Sequence, residues 1–140
     1  MDKFLNIKYT LHRQDEYFDD YLASIGLNYI QRKLAKTIPA SVEIVKLNEN
    51  EYSFNTILPF KTHQQRFVPG EEIEQTTVDG RKVKNIFTIE GNKLIEHQFE
   101  PNRQVSIIRE FTDKEMAGKT TVGNSFGEVT NKHWSKAQES

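Results

Sequence analysis

The chain contains no cysteine. That excludes a disulfide framework, a thiolate nucleophile and any cysteine-built metal site. Neither sign of charge is in excess: 19 basic and 20 acidic residues leave a net charge of −1. Bulk electrostatics therefore gives no reason to expect a nucleic-acid partner. No stretch approaches the about 20 consecutive apolar residues of a membrane-spanning helix. The opening residues, "MDKFLNIKYTLHRQDEYF", lack the apolar core and cleavage site of a signal peptide. An intracellular protein is expected. Proline and glycine are few, four and seven in 140 residues, and do not gather into a linker. One domain over residues 1–140 is the expectation.

Catalytic patterns are also missing. The four histidines, His12, His63, His97 and His133, show no metal spacing. There is no nucleophile elbow, no paired-carboxylate constellation and no glycine-rich phosphate loop. A non-enzymatic protein without metal or cofactor is expected.

What is present is a change of period. Phe18, Tyr21, Leu22 and Ile25 recur at i, i+3, i+4 and i+7, one stripe of an amphipathic helix. Gly26 suits the residue that ends it. Asn28 can cap a second helix with Ile30, Leu34 and Ile38 on its apolar side, and Pro39 stops it. Arg32, Lys33 and Lys36 make its other side basic. From residue 41 onward the period is two. Strands are expected at 42–47, 51–57, 62–68, 72–78, 82–89, 93–99, 104–111, 115–122 and 127–135, with a first strand at 4–11. The turns between them ("NENE", "VPGE", "VDGR", "EGNK", "EPNR", "TDKE", "VGNSFG") are short, so neighbours are antiparallel. About ten strands in a meander either expose two edges or close, and closure removes the edges. The sequence thus predicts an up-and-down antiparallel β-barrel with a helix-turn-helix inserted after the first strand. Such a barrel is wider than the roughly eight-stranded case that its own side chains fill. Asn85 shares a face with Val83, Phe87 and Ile89. A partly polar interior is a cavity rather than a packed core.

The sharpest single feature lies in "QVSIIREFTD", residues 104–113. Val105, Ile107 and Phe111 share one strand face, and Arg109 falls among them. A buried guanidinium needs an anionic partner. That partner is an internal carboxylate or the carboxylate of a ligand, unless Arg109 lies at a strand end and reaches solvent.

Three segments carry a resemblance: "YFDDYLASIGLNYIQRKLAK", "FKTHQQRFVPGEEIEQTTVDGRKVKNIFTIEGNKLIEHQ" and "SIIREFTDKEM". In order and spacing they resemble the intracellular lipid-binding proteins, the family of fatty-acid-binding and cellular retinoid-binding proteins, and are most similar to a fatty-acid-binding protein. The resemblance implies a ten-stranded β-clam capped by two helices. It implies a monomer that holds one long-chain fatty acid or similar lipid in an internal cavity. Transport through the cytoplasm, and in some relatives the nucleus, is implied as well. Phe60 corresponds to the phenylalanine at the family's portal. Arg32 and Lys33 at that portal would meet anionic membranes, and with Lys36 they could form a composite nuclear-import signal. Arg109 aligns with the first arginine of the family's carboxylate-binding group.

Two departures stand out. Near the start, Asn6 replaces a glycine, and Tyr9 is nearest to the tryptophan of the family pattern. At the end, the arginine-x-tyrosine pair is missing, and the last hairpin is longer. With three inserted residues the pair becomes Lys132 and Trp134; with four it becomes His133 and Ser135. Lys132 and Trp134 are the expected ligand-binding partners of Arg109, because cation-x-aromatic keeps more of the chemistry. A neutral-headgroup lipid or retinoid, bound by an adaptor whose long last hairpin and polar tail "KAQES" meet a protein partner, is the alternative.

Overall fold

The computed structural model describes residues 1–138. A 3-10 turn, Asp2–Phe4, precedes β1 (Tyr9–Gln14). The helices α1 (Phe18–Ser24) and α2 (Tyr29–Ala35) follow, then β2 (Ser41–Lys46), β3 (Tyr52–Ile57), β4 (Thr62–Phe67) and β5 (Glu72–Thr76). The rest is β6 (Lys82–Glu90), β7 (Lys93–Glu100), β8 (Arg103–Phe111), β9 (Glu115–Asn124) and β10 (Gly127–Ala137). The ten strands form one antiparallel sheet in the order β4-β3-β2-β1-β10-β9-β8-β7-β6-β5. This is the expected meander, with the helices between the first two strands.

The first strand starts later than its alternation suggests. Phe4 belongs to the 3-10 turn, where its ring faces Phe111 at 6.4 Å. The break falls at Asn6, the one non-glycine residue with positive φ (62°) among the described residues. Asparagine tolerates this left-handed conformation better than most residues, so it can stand where the family pattern has glycine. Tyr9 is buried, meets the Phe111 ring edge-on at 5.2 Å, and donates its hydroxyl to the Thr112 carbonyl at 2.9 Å. Burial, reinforced by nearby Asp113, pushes its phenol up to about 12.

The helical hairpin is locally encoded. The Asn28 side chain accepts from the Gln31 backbone, and the Gln31 side chain accepts from the Asn28 backbone, a complete capping box. Gly26, at φ 99°, makes the turn between the helices. Leu22 and Ile25 pack on Val105, Ile107 and Val122, holding α1 across the mouth of the barrel. At the opposite end Tyr9, Ile44, Phe54, Phe67, Phe87, Leu94, Phe111 and Met116 form a second apolar cluster. The cavity lies between the two.

Closure is incomplete in backbone terms, since β4 and β5 exchange no ladder bonds. Side chains span the gap instead. Gln75 donates to the Arg66 carbonyl at 2.7 Å and accepts from Gln65 at 3.2 Å. A His63 ring nitrogen lies 3.0 Å from the Thr76 carbonyl.

Candidate functional site

Beneath the helices is a cavity of about 690 Å³, within the usual range for small-molecule sites. Its walls are mainly apolar: Tyr21 from α1 and Ile25 just past its end, Leu34 and Ile38 from α2 and its exit, and Phe54 and Ile107 from the sheet. Arg109, Asn131, His133 and Ser135 form its polar side.

Arg109 is inside, and it has a protein partner. Its Nη1 donates to Oε1 of Glu96 at 2.8 Å, and its guanidinium carbon lies 4.1 Å from the centre of the Phe54 ring. Glu96 is 1% exposed. Its second oxygen accepts from Gln98 at 2.8 Å and Asn85 at 2.9 Å. Burial is the largest influence on the Glu96 carboxyl and works to raise it. Arg109, with the two amide donors, outweighs burial and holds it below the ordinary carboxylate range. Gln98 also accepts from Arg81 at 3.0 Å, and Arg81 pairs with Asp79 and Glu100 at 2.8 and 2.9 Å. One hydrogen-bonded chain thus runs from the β5–β6 turn to β8. The internal carboxylate is thus one partner of Arg109, and the strand-end reading is excluded by its burial. Only Nη1 is used by Glu96; Nε and Nη2 have no protein acceptor among the described residues.

The last strand corrects the expected pair. Lys132 is exposed, and Trp134 lies on the outer face under the Arg13 guanidinium at 3.7 Å. Neither lines the cavity. His133 and Ser135 do, with Asn131 in the same row. The cause is register. The β9–β10 hairpin turns at Ser125 and Phe126, pairing Thr120 with Asn131, Gly118 with His133 and Met116 with Ser135. Thr120, Gly118 and Met116 face inward, so their partners do too, and a slip of one residue would reverse every side chain. Gly118 has a steric role here. A Cβ at that position would overlap the His133 ring, so only glycine leaves room for the imidazole to lie across β9. Burial first, then the Arg109 charge, lowers His133 from 6.5 to about 4, against a smaller opposing pull from Asp15. His133 is neutral at neutral pH.

Among the portal residues, Phe60 is 67% exposed and lines the cavity mouth. Arg32 is not free. It donates to Asp19 at 3.2 Å and to the Leu27 carbonyl at 2.9 Å, clasping α2 to α1, and Lys36 also pairs with Asp19 at 2.7 Å. Lys33 makes no ion pair among the described residues and lies beside Tyr29. Of the polar tail, Glu139 and Ser140 lie outside the described residues.

Sequence reasoning missed Glu96, Gln98 and Gly118. The first two were detectable: Leu94, Glu96 and Gln98 alternate on one face, and the tight "EPNR" turn sets Leu94 opposite Arg109 and Glu96, two residues along, opposite Ile107.

No family model matches the chain. Individual proteins do. A probable fatty acid-binding protein of Anopheles gambiae is 43% identical over 91 residues, 65% of this chain and 80% of the relative. The crystal structure of a fatty acid-binding protein from brain tissue of Drosophila melanogaster superposes with a TM-score of 0.84 at 35% identity, over 96% of this chain and 99% of the other. A Schistosoma mansoni fatty acid binding protein, solved in complex with arachidonic acid, gives a TM-score of 0.84 at 28% identity, over 99% and 98% of the two chains. The two structural likenesses span nearly the whole chain and agree with the ten-stranded barrel and its helical lid, and the Anopheles relative is matched over most of its own length: the chain belongs to the fatty-acid-binding protein family.

Proposed function

We propose that this protein is a non-enzymatic carrier of a long-chain fatty acid or a closely related lipid. The observation that carries the reading is the lidded cavity, apolar along most of its wall and polar at Arg109, His133 and Ser135. An acyl chain gains about 25 cal/mol for each Å² of apolar surface removed from water, and the polar side offers donors to its head. The relative solved with arachidonic acid supports the same ligand class. Monomeric action in the cytoplasm, and secondarily in the nucleus, belongs to this proposal. Delipidated protein titrated with oleate by calorimetry is expected to bind one molecule at micromolar or lower Kd. Absence of binding would overturn the proposal.

Delivery to membranes is proposed for the portal. Tyr29, Ile30, Leu34 and Phe60 are all more than half exposed, an apolar set beside Lys33 that suits an anionic bilayer surface. Since Arg32 and Lys36 serve Asp19, Lys33 is the residue to change. Lys33→Glu is expected to slow transfer of a fluorescent fatty acid to anionic vesicles severalfold, with unchanged equilibrium affinity. Equal transfer rates for the two proteins would remove the membrane role.

A further inference from the structure

The cavity has a charge problem that a fatty acid makes worse. Arg109 is already neutralised by Glu96 at 2.8 Å. Arg81, farther along the same chain of bonds, is matched by Asp79 and Glu100. An ionised lipid carboxylate placed beside Arg109 would therefore leave one uncompensated negative charge in a space walled by apolar side chains, which is strongly disfavoured.

One group is placed to correct this. Arg109, Gly118 and His133 are direct cross-strand partners on β8, β9 and β10. Two strand spacings separate Arg109 from His133, about 9–10 Å between backbones, and Gly118 between them has no side chain. The His133 ring lies over that glycine, and no side-chain hydrogen bond ties it among the described residues. Ser135 is next in the same inward row. A carboxylate on the cavity side of that ring would meet both the unused edge of Arg109 and the imidazole, since both residues line the cavity.

We infer that His133 is the second cation of the lipid-carboxylate site, and that it becomes one by taking a proton from solution as an ionised fatty acid binds. This deepens the carrier reading and rests on it. Among the described residues around the ring, every other titratable group is already engaged, charged or held protonated. From β8, Arg109 faces the ring as a fixed cation; from the β1–α1 connection, Asp15 faces it as an anion already satisfied by Asn131 and the Lys132 backbone. From α1, Tyr21 stays protonated, its phenol pushed up to about 12 by burial. From β7, Glu96 is committed to Arg109. Lys119 and Lys132, on the strands flanking the ring, point outward. In the free protein, burial and Arg109 keep His133 neutral. The carboxylate reverses that balance by adding a negative charge at contact range. A base lowered in the free state and raised in the complex binds more protons in the complex, so affinity rises as pH falls. One proton per ligand corresponds to about tenfold in affinity per pH unit.

The test is calorimetric titration of the full chain with oleate at pH 6.5 in two buffers of different ionisation enthalpy. Uptake approaching one proton per oleate is expected. His133→Gln should abolish the uptake and weaken oleate binding about tenfold. The uncharged amide of the same chain should bind native protein without uptake. In the native protein, the His133 imidazole resonance should titrate near or above neutrality with oleate bound, against about 4 in the free protein, a readout that holds even if the variant does not fold. Tight oleate binding with no proton uptake would overturn the inference, as would uptake that persists in His133→Gln or an unmoved resonance. Failure of oleate to bind at all would instead remove the carrier reading beneath it.

Discussion

Glu96→Gln is expected to lower stability by about 3–5 kcal/mol, the usual cost of breaking a buried ion pair from one side. The change is nearly isosteric, so packing is not the cause. It leaves the Arg109 guanidinium inside without its countercharge. It also turns the Oε2 acceptor, which serves Gln98 and Asn85, into an amide that cannot both accept from these donors and serve Arg109. Urea unfolding at pH 7 measures the loss as a shift in midpoint. The double variant Glu96→Gln/Arg109→Met removes both charges and should recover most of the loss. An unchanged midpoint in the single variant would mean that water in the cavity solvates Arg109 well enough to replace Glu96. The pH dependence has a definite sign. The folded Glu96 carboxyl lies below its ordinary 4.5. Its contribution is therefore complete above 4.5 and is lost as pH falls through the lower folded value. Native protein should lose stability in acid more steeply than Glu96→Gln, which has no carboxyl to protonate there.

The same substitution should improve the binding of an anion. With Glu96 neutral, Arg109 offers its full charge to a lipid carboxylate, and oleate affinity is expected to rise by tenfold or more, about 1.4 kcal/mol. The proton uptake assigned to His133 should shrink in parallel, because the cavity no longer needs a second positive charge. Tighter binding in a less stable protein would identify Glu96 as a group that sacrifices affinity for stability. Such a balance suits a carrier, which must release what it binds.

The fold was legible because its signals are local. Period-two alternation, short turns and the stripe from Phe18 to Ile25 each state one element, and antiparallel neighbours follow from turns too short for crossovers. The Asn28–Gln31 capping box is local as well. The site was legible only where a residue broke its own row: Arg109 among Val105, Ile107 and Phe111. What was missed depended on two strands at once. Glu96 matters because of its diagonal position to Arg109, and that requires the β7–β8 register. The error at Lys132 and Trp134 has the same origin. Chemical likeness to a cation-x-aromatic pair favoured them, but which side chains face inward is a matter of parity, fixed by a turn at Ser125 and Phe126. Gly118 was invisible for a different reason: its role is the space that it leaves for a ring on the next strand.

Phe87→Ala is expected to cost about 3–5 kcal/mol, and its effect should not stop at a lost side chain. Phe87 is fully buried and stacks on Phe67 at 4.4 Å between ring centres. Phe67 ends β4 and Phe87 lies in β6, so this stack bridges the side of the barrel where β4 and β5 have no backbone ladder. The backbone beside it is tied to the same strand, since Gly70 donates to the Phe87 carbonyl at 2.8 Å. Elsewhere in the sheet, losing one aromatic leaves the ladder intact. Here the aromatic contact and the bonds of Gln65, Gln75 and His63 are what hold the two edges together. Amide exchange should therefore accelerate most in β4 and β5, and much less in β8 and β9, whose ladders are long and continuous. A uniform acceleration across all ten strands would show that Phe87 serves only the general core. A local one would place the weakest seam of the barrel between β4 and β5, where an acyl chain could pass without disturbing the clasp of Asp19 on Arg32 and Lys36.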